Sequence, residues 1–185
     1  KAPEQYMWVH RRFMTRPNED DPCYYSDVIK NIHKEEAIKN SNSNGSIFMD
    51  YRSNIVTPTT NTIIYGHNMK SGMMFGGLKN YLSDGYLDSH RYINFNTLYE
   101  NRQYEIVAVC LSQVQYQDDA SAYRYYDFIS AGTDDEFEMF RQNVDSLAVV
   151  GNADGLTRED KLLTLSTCNS YTEDGRLFVV AKQVQ

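Results

Sequence analysis

Apolar residues recur at helical spacing in only a few stretches of this chain; elsewhere they alternate or run together as they do in β-strands. From Ser26 to Ile38, Val28, Ile29, Ile32 and Ile38 fall roughly on one side, with Ser26 placed as N-cap, and this predicts a helix. The run Asn40-Ser-Asn-Ser-Asn-Gly45 ends it as a loop. A second, short helix is predicted over Met74–Leu82. A third starts at Thr133, which forms a capping box with Glu136, and Phe137, Phe140, Val144 and Leu147 follow at helical spacing. Strands are predicted at 46–49, 62–65, 92–95, 104–115, 162–167 and 177–184. Many short strands with a few inserted helices point to a mainly β, α+β fold built on a closed or nearly closed barrel. The strand–helix alternation of a doubly wound sheet is missing. Residues 1–44 are expected to form a helical and irregular segment, and residues 45–185 the β-rich body of one compact domain.

Composition narrows the classes. The 185 residues carry 18 Lys and Arg against 25 Asp and Glu, a net charge of −7, which argues against a nucleic-acid partner. The longest apolar run, Ile106 to Leu111, is six residues, against the roughly 20 that span a bilayer. Lys1-Ala-Pro-Glu-Gln5 has no apolar signal-peptide core. Three cysteines without CxxC spacing exclude a disulfide-stapled mini-domain and argue against a zinc site. Pairs such as Asp118/Asp119 and Asp134/Asp135 have no EF-hand spacing, so no metal or cofactor is expected.

Candidate chemistry gathers around one cysteine. Cys168 ends the β-prone run Leu162-Leu-Thr-Leu-Ser-Thr and faces the loop Asn169–Gly175, where a thiol can meet substrate. A reactive thiol and an ordinary strand-end cysteine are both open readings of that position. Cys110, in Val107-Ala-Val-Cys-Leu, reads as core, and Cys23 is an uncommitted loop thiol. A nucleophilic thiol needs an acid/base partner. His67 follows a strand end and the turn residue Gly66, which favours it over His10 and His33 in polar segments and over His90 beside Asp88-Ser89. Arg176 returns beside Cys168 across the intervening loop, where a guanidinium would hold an oxyanion. A turn-flanking surface arginine is the plain alternative.

These residues carry a resemblance. Thr164-Leu-Ser-Thr-Cys168 followed by Asp174-Gly-Arg-Leu-Phe-Val-Val-Ala-Lys182 resembles the active-site segment of sortases. Asn61-Thr-Ile-Ile-Tyr-Gly-His-Asn-Met69, preceded by Gly45-Ser-Ile-Phe-Met-Asp-Tyr-Arg52, resembles class B members in particular. Together the motifs span about Gly45 to Lys182, in family order. One departure is that residues 1–22 lack the alternation of the early strand pair usual in the family.

The resemblance implies an eight-stranded sortase β-barrel, with a helix in the insertion 117–160 between two late strands. It implies Cys168 as nucleophile, His67 as acid/base and Arg176 as substrate and oxyanion clamp. Ser166, Thr167, Tyr65, Asn68 and Tyr171 are the accompanying substrate-contact candidates. The implied activity is cleavage after Thr in the C-terminal sorting motif of a secreted protein, through a thioester on Cys168. A peptidoglycan cross-bridge or pilin amine would then take the acyl group. The implied location is the outer face of a Gram-positive membrane, tethered by a segment absent from this chain. Two other classes remain open. Other cysteine enzymes acting on peptidoglycan, such as L,D-transpeptidase-like proteins, tend to place His and Gly before the Cys, where this chain has Ser166-Thr167. A non-catalytic surface-binding module on the same barrel is the other.

Overall fold

A computed structural model describes residues 47–97, 100–113, 123–169 and 175–185. The helix expected from Ser26, the boundary at residue 44, Cys23 and Tyr171 lie outside the described residues. Seven strands form one sheet: β1 (Phe48–Met49), β2 (Asn61–Tyr65), β3 (Tyr92–Asn94), β4 (Gln103–Gln113), β5 (Ala148–Gly151), β6 (Leu162–Cys168) and β7 (Gly175–Gln183). Their order is β1-β2-β6-β7-β4-β3, with β5 on the outer edge of β4 beside β3. Only β2 and β6 pair in parallel; the other ladders are antiparallel. A parallel pair needs a long crossover, and here everything from Gly66 to Lys161 supplies it. Among the described residues β1 and β3 end the ladder, so the sheet is not closed and seven strands stand where eight were expected.

The central strands read as they fold. Arg176 to Ala181 of β7 are all buried, because β7 lies between β6 and β4 and is covered on both faces. Successive residues serve opposite faces. Ile63, Leu162, Phe178 and Val180 face one core together with Phe137, Phe140 and Val144 of the helix Asp134–Leu147. Ile64, Leu163, Leu177 and Val179 face the other core, with Met49 and Tyr104. The phase of β4 changes at a bulge, since Ile106 opposes Ala181 while Ala108 opposes Val180. The extra residue, Val107, lets Ile106 and Val109 share one face with Ala108 and Cys110 on the other.

The long helix carries the expected capping box: Thr133 Oγ1 accepts from the Glu136 amide at 3.2 Å and Glu136 Oε2 accepts from the Thr133 amide at 3.3 Å. Asp134, Asp135 and Glu136 in its first turn suit the positive end of the helix dipole. Two details differ from expectation. The helix expected over Met74–Leu82 is a short 3-10 segment, Leu78–Leu82, preceded by turns in which Met74 has φ +55° and Gly72 φ +81°. Left-handed backbone at Met74 stops a helix from starting there. β5 had no expectation; it follows the helix directly, and Gly151 (φ +71°) fits it against the β4 bulge, where a Cβ would strike the Val107 carbonyl.

Candidate active site

Strand ends bring the three proposed catalytic residues to one corner of the sheet. β6 finishes at Cys168, whose register partner on β7 is Arg176. The Asn169 amide donates to the Gly175 carbonyl at 2.9 Å, so Asn169 and Gly175 are a hydrogen-bonded pair. Cys168 and Arg176 are then the adjacent non-hydrogen-bonded pair, whose Cα atoms stand about 4.5 Å apart with side chains on the same face. Arg176 is not a turn-flanking surface residue: it is the second residue of β7 and 6% exposed, with Nη1 donating to the Gly175 carbonyl at 3.0 Å. Cys168 is half-buried, the partial exposure expected of a reactive thiol.

The parallel neighbour delivers His67. Tyr65 pairs with Ser166, and the ladder continues one step as the Gly66 amide donates to the Ser166 carbonyl at 3.1 Å. His67, half-buried, follows directly beside the end of β6. Its carbonyl accepts from the amides of Met69 (3.2 Å) and Phe75 (2.9 Å), which folds the Met69–Phe75 turn back onto the strand end. Gly66 is required there, because an added Cβ would lie 2.8 Å from the Phe75 ring. Asn68 Nδ2 donates to the Cys168 carbonyl at 2.9 Å, tying the histidine loop to the cysteine's own backbone.

The remaining candidates divide by face. Thr167 points to the opposite side from Cys168 and its hydroxyl donates to the Gly66 carbonyl at 2.6 Å. Ser166 shares the Cys168 face but is 2% exposed, its hydroxyl 2.7 Å from the Tyr125 hydroxyl. Tyr65 is buried, and its hydroxyl donates to Asp50 Oδ2 at 3.1 Å. Burial, and after it the Asp50 charge, push the Tyr65 hydroxyl well above the ordinary tyrosine pKa, so it stays a neutral donor. Thr167 thus ties β6 to the end of β2, Ser166 ties it to Tyr125, Tyr65 ties β2 to Asp50, and Asn68 ties the histidine loop to the Cys168 backbone. Cys110 is buried, and desolvation pushes its thiol far above the ordinary value, which keeps it an inert core residue. His90 is exposed and stacked on Tyr86 at 3.9 Å between ring centroids, at the end of the short helical turn Tyr86–Ser89. Among the described residues no group of three His, Cys, Asp or Glu stands together as a metal site.

Sequence reasoning missed the support under this corner. Tyr125, in the Tyr125–Asp127 3-10 turn, bonds Ser166 and stacks on Phe178 at 4.0 Å and 7°. Asn61, fully buried, accepts from Thr164 Oγ1 at 2.9 Å and donates through Nδ2 to the Phe128 carbonyl at 3.0 Å. The available signal was the aromatic run Tyr123-Arg-Tyr-Tyr-Asp-Phe128 within the insertion, too rich in large rings for an ordinary exposed loop.

The chain is similar in sequence and fold to known proteins of one family. A family model described as the sortase domain matches residues 25–184. The chain is 34% identical over 142 residues to sortase B of Listeria monocytogenes, covering 76% of this chain and 54% of that protein. It is 30% identical over 143 residues to sortase B of Staphylococcus aureus, covering 76% and 55%. The chain therefore spans about half the length of the curated relatives it matches. Among solved structures it resembles a Staphylococcus aureus sortase B–substrate complex with a TM-score of 0.66 and 28% identity, over 80% of this chain and 65% of that one. Sortase B from B. anthracis in complex with AAEK1 superposes with a TM-score of 0.64 and 33% identity, over 79% and 64%.

Proposed function

The chain belongs to the sortase family, and we propose on that premise that it is a cysteine transpeptidase acting on sorting-signal peptides at a Gram-positive cell surface. The observation that carries this reading is the cross-strand pairing of Cys168 with Arg176, with His67 delivered by the adjacent parallel strand. The Cys168 thiolate attacks the Thr carbonyl carbon of the sorting motif. The carbonyl oxygen becomes an oxyanion beside the Arg176 guanidinium, a charge-assisted contact in a mostly buried setting. Collapse expels the amine of the following residue, which takes its proton from the His67 imidazolium and leaves a thioester on Cys168. Neutral His67 then accepts a proton from an incoming amine as it attacks the thioester, and the sulfur leaves as thiolate, restoring the Cys168 thiolate and the His67 imidazolium. The same reading takes a peptidoglycan cross-bridge or pilin amine as acceptor and a membrane tether outside this chain. It takes the seven described strands as part of an eight-stranded barrel.

The test is to trap the acyl-enzyme. The chain is mixed with a panel of sorting peptides without an amine, quenched in acid and analysed by mass spectrometry. The expected result is a peptide adduct on the Cys168-containing fragment, lost in Cys168→Ala and discharged by added amine. Peptide cleavage by Cys168→Ala would overturn the mechanism. Adducts formed only with peptidoglycan stem peptides would make the protein a different cysteine acyl-transfer enzyme. Peptide binding without an adduct would make it a binding module.

A further inference from the structure

The insertion between β4 and the long helix returns to the sheet beside the candidate active site, and its attachments are of two kinds. Residues 128–131 are stitched along the start of β2: Asn61 takes the Phe128 carbonyl through Nδ2 (3.0 Å) and the Ile129 carbonyl through its amide (2.9 Å), and the Ala131 amide donates to Thr60 Oγ1 at 3.2 Å. Upstream, nearer Cys168, the described attachments of Tyr125–Asp127 are different. The Tyr125 hydroxyl meets Ser166, and the Tyr126 carbonyl accepts from Arg52 Nη2 at 2.6 Å. Arg52 is itself held side-on by Asp50, with Nε to Oδ1 at 3.0 Å and Nη2 to Oδ2 at 2.9 Å, and its Nη1 reaches Asp127 at 3.4 Å.

Asp50 also links this pair to the histidine strand. Its carboxylate accepts from Tyr65, two residues before His67, and its amide donates to the Ile63 carbonyl at 2.8 Å. Polar contacts thus run from β2 through Asp50 and Arg52 to the Tyr126 carbonyl, and the neighbouring Tyr125 side chain carries the connection on to β6 through its hydroxyl. It lands on Ser166, about 7 Å along the strand from Cys168 and on the same face. Asp50 is 7% exposed, so the pair is only weakly screened by salt, and a planar guanidinium forked onto a carboxylate fixes direction as well as distance. The carbonyl it grips is that of the residue after Tyr125, so the stance of the Tyr125 ring between Ser166 and Phe178 follows from it.

We propose that Arg52, locked by Asp50, is a positioning residue for the transpeptidation: it holds the buried Tyr125 turn as a fixed back wall behind Ser166, on the face that carries Cys168. The inference rests on the sortase reading for the reaction itself. It predicts that the residue acts on productive placement of the peptide and not on the thiol.

Arg52→Ala in the full chain should lower kcat/KM for a sorting peptide by about 10- to 100-fold, mainly through KM, the effect of a wall displaced by about an ångström. Alkylation of Cys168 by iodoacetamide, read by mass spectrometry, should keep its wild-type rate. Arg52→Lys, which keeps the charge without the fork, should recover part of the loss. Tyr125→Phe, which removes the hydroxyl and keeps the ring on Phe178, should show a smaller loss in the same direction. The double variant should lose less than the two losses combined. Wild-type kcat/KM in Arg52→Ala, an equal fall in alkylation rate, or full additivity would overturn the proposal. If the wild-type chain turns over no peptide, the sortase reading fails, and amide exchange at 123–127 decides the latch separately. Faster exchange there in Arg52→Ala, with 128–131 unchanged, supports it; unchanged exchange at 123–127 overturns it.

Discussion

The same three strands, β2, β6 and β7, present two very different faces. The side away from the long helix is mostly aliphatic: Ile64, Leu163, Leu165, Leu177 and Val179 pack there, held by dispersion and apolar burial. The helix side carries Tyr65, Thr164, Ser166 and Phe178 among its apolar residues, and at its end Cys168 and Arg176, with His67 following β2 at the same corner of the sheet. Every buried hydroxyl named on that side has a partner: Tyr65 on Asp50, Thr164 on Asn61, Ser166 on Tyr125. An unpaired buried hydroxyl is penalised by about 1–3 kcal/mol, so a face built for polar chemistry must be satisfied before any substrate arrives. The aliphatic face can tolerate volume-conserving change. The helix side is specified atom by atom, and it is where the proposed reacting groups stand.

Substitutions can break that contrast. The largest effect is expected at Arg176→Ala, which should lower kcat/KM by about 10²- to 10³-fold, as losing an oxyanion donor does, while Cys168 still alkylates. Unchanged kinetics would reduce the polar face to scaffolding. On the aliphatic face, Leu163→Ala should lower the unfolding free energy by about 3 kcal/mol in urea titration, since Leu163 is fully buried. The folded fraction of that variant should keep its kcat/KM. A loss of turnover in fully folded protein would show that the two faces are coupled.

Smaller effects sharpen the picture. Ser166→Ala leaves the Tyr125 hydroxyl buried and should cost about 1–3 kcal/mol. Adding Tyr125→Phe should restore part of it, and strict additivity of the two would deny the pair. The smallest effect is expected on the surface, at the Asp160–Lys182 pair, 3.0 Å apart. Burial alone would raise the Asp160 pKa, but the hydrogen bonds from the Thr157 amide and from Lys182 outweigh it and hold the carboxylate below its ordinary value. A depressed folded pKa gives stability that is present above the unfolded value near 3.9 and lost as pH falls through the folded one. The melting-temperature gap between wild type and Asp160→Asn should therefore be present at pH 7 and shrink below about pH 4. At under about 1 kcal/mol, as expected of a solvent-screened pair, it should also weaken in high salt.

What was legible from sequence alone was local. Alternation and β-branched runs located β2, β4, β6 and β7 within about two residues, and Thr133 with Glu136 located the helix start, because side-chain periodicity and capping are properties of neighbouring residues. The segment Thr164–Cys168 and the motif around His67 singled out the candidate site before any contact was visible. Register and convergence belonged to the tertiary structure. That Arg176 lies inside β7, buried opposite Cys168, follows from which antiparallel pairs exchange backbone hydrogen bonds, a nonlocal property. The parallel seating of β2 on β6 brings His67 to the corner across nearly a hundred residues of crossover. β5 escaped notice because four residues carry too little pattern, and their strand conformation exists only against the bulged edge of β4. Tyr125, Asn61 and the Asp50–Arg52 pair escaped because a polar side chain has meaning only through the partner opposite it, and folding alone decides who that partner is.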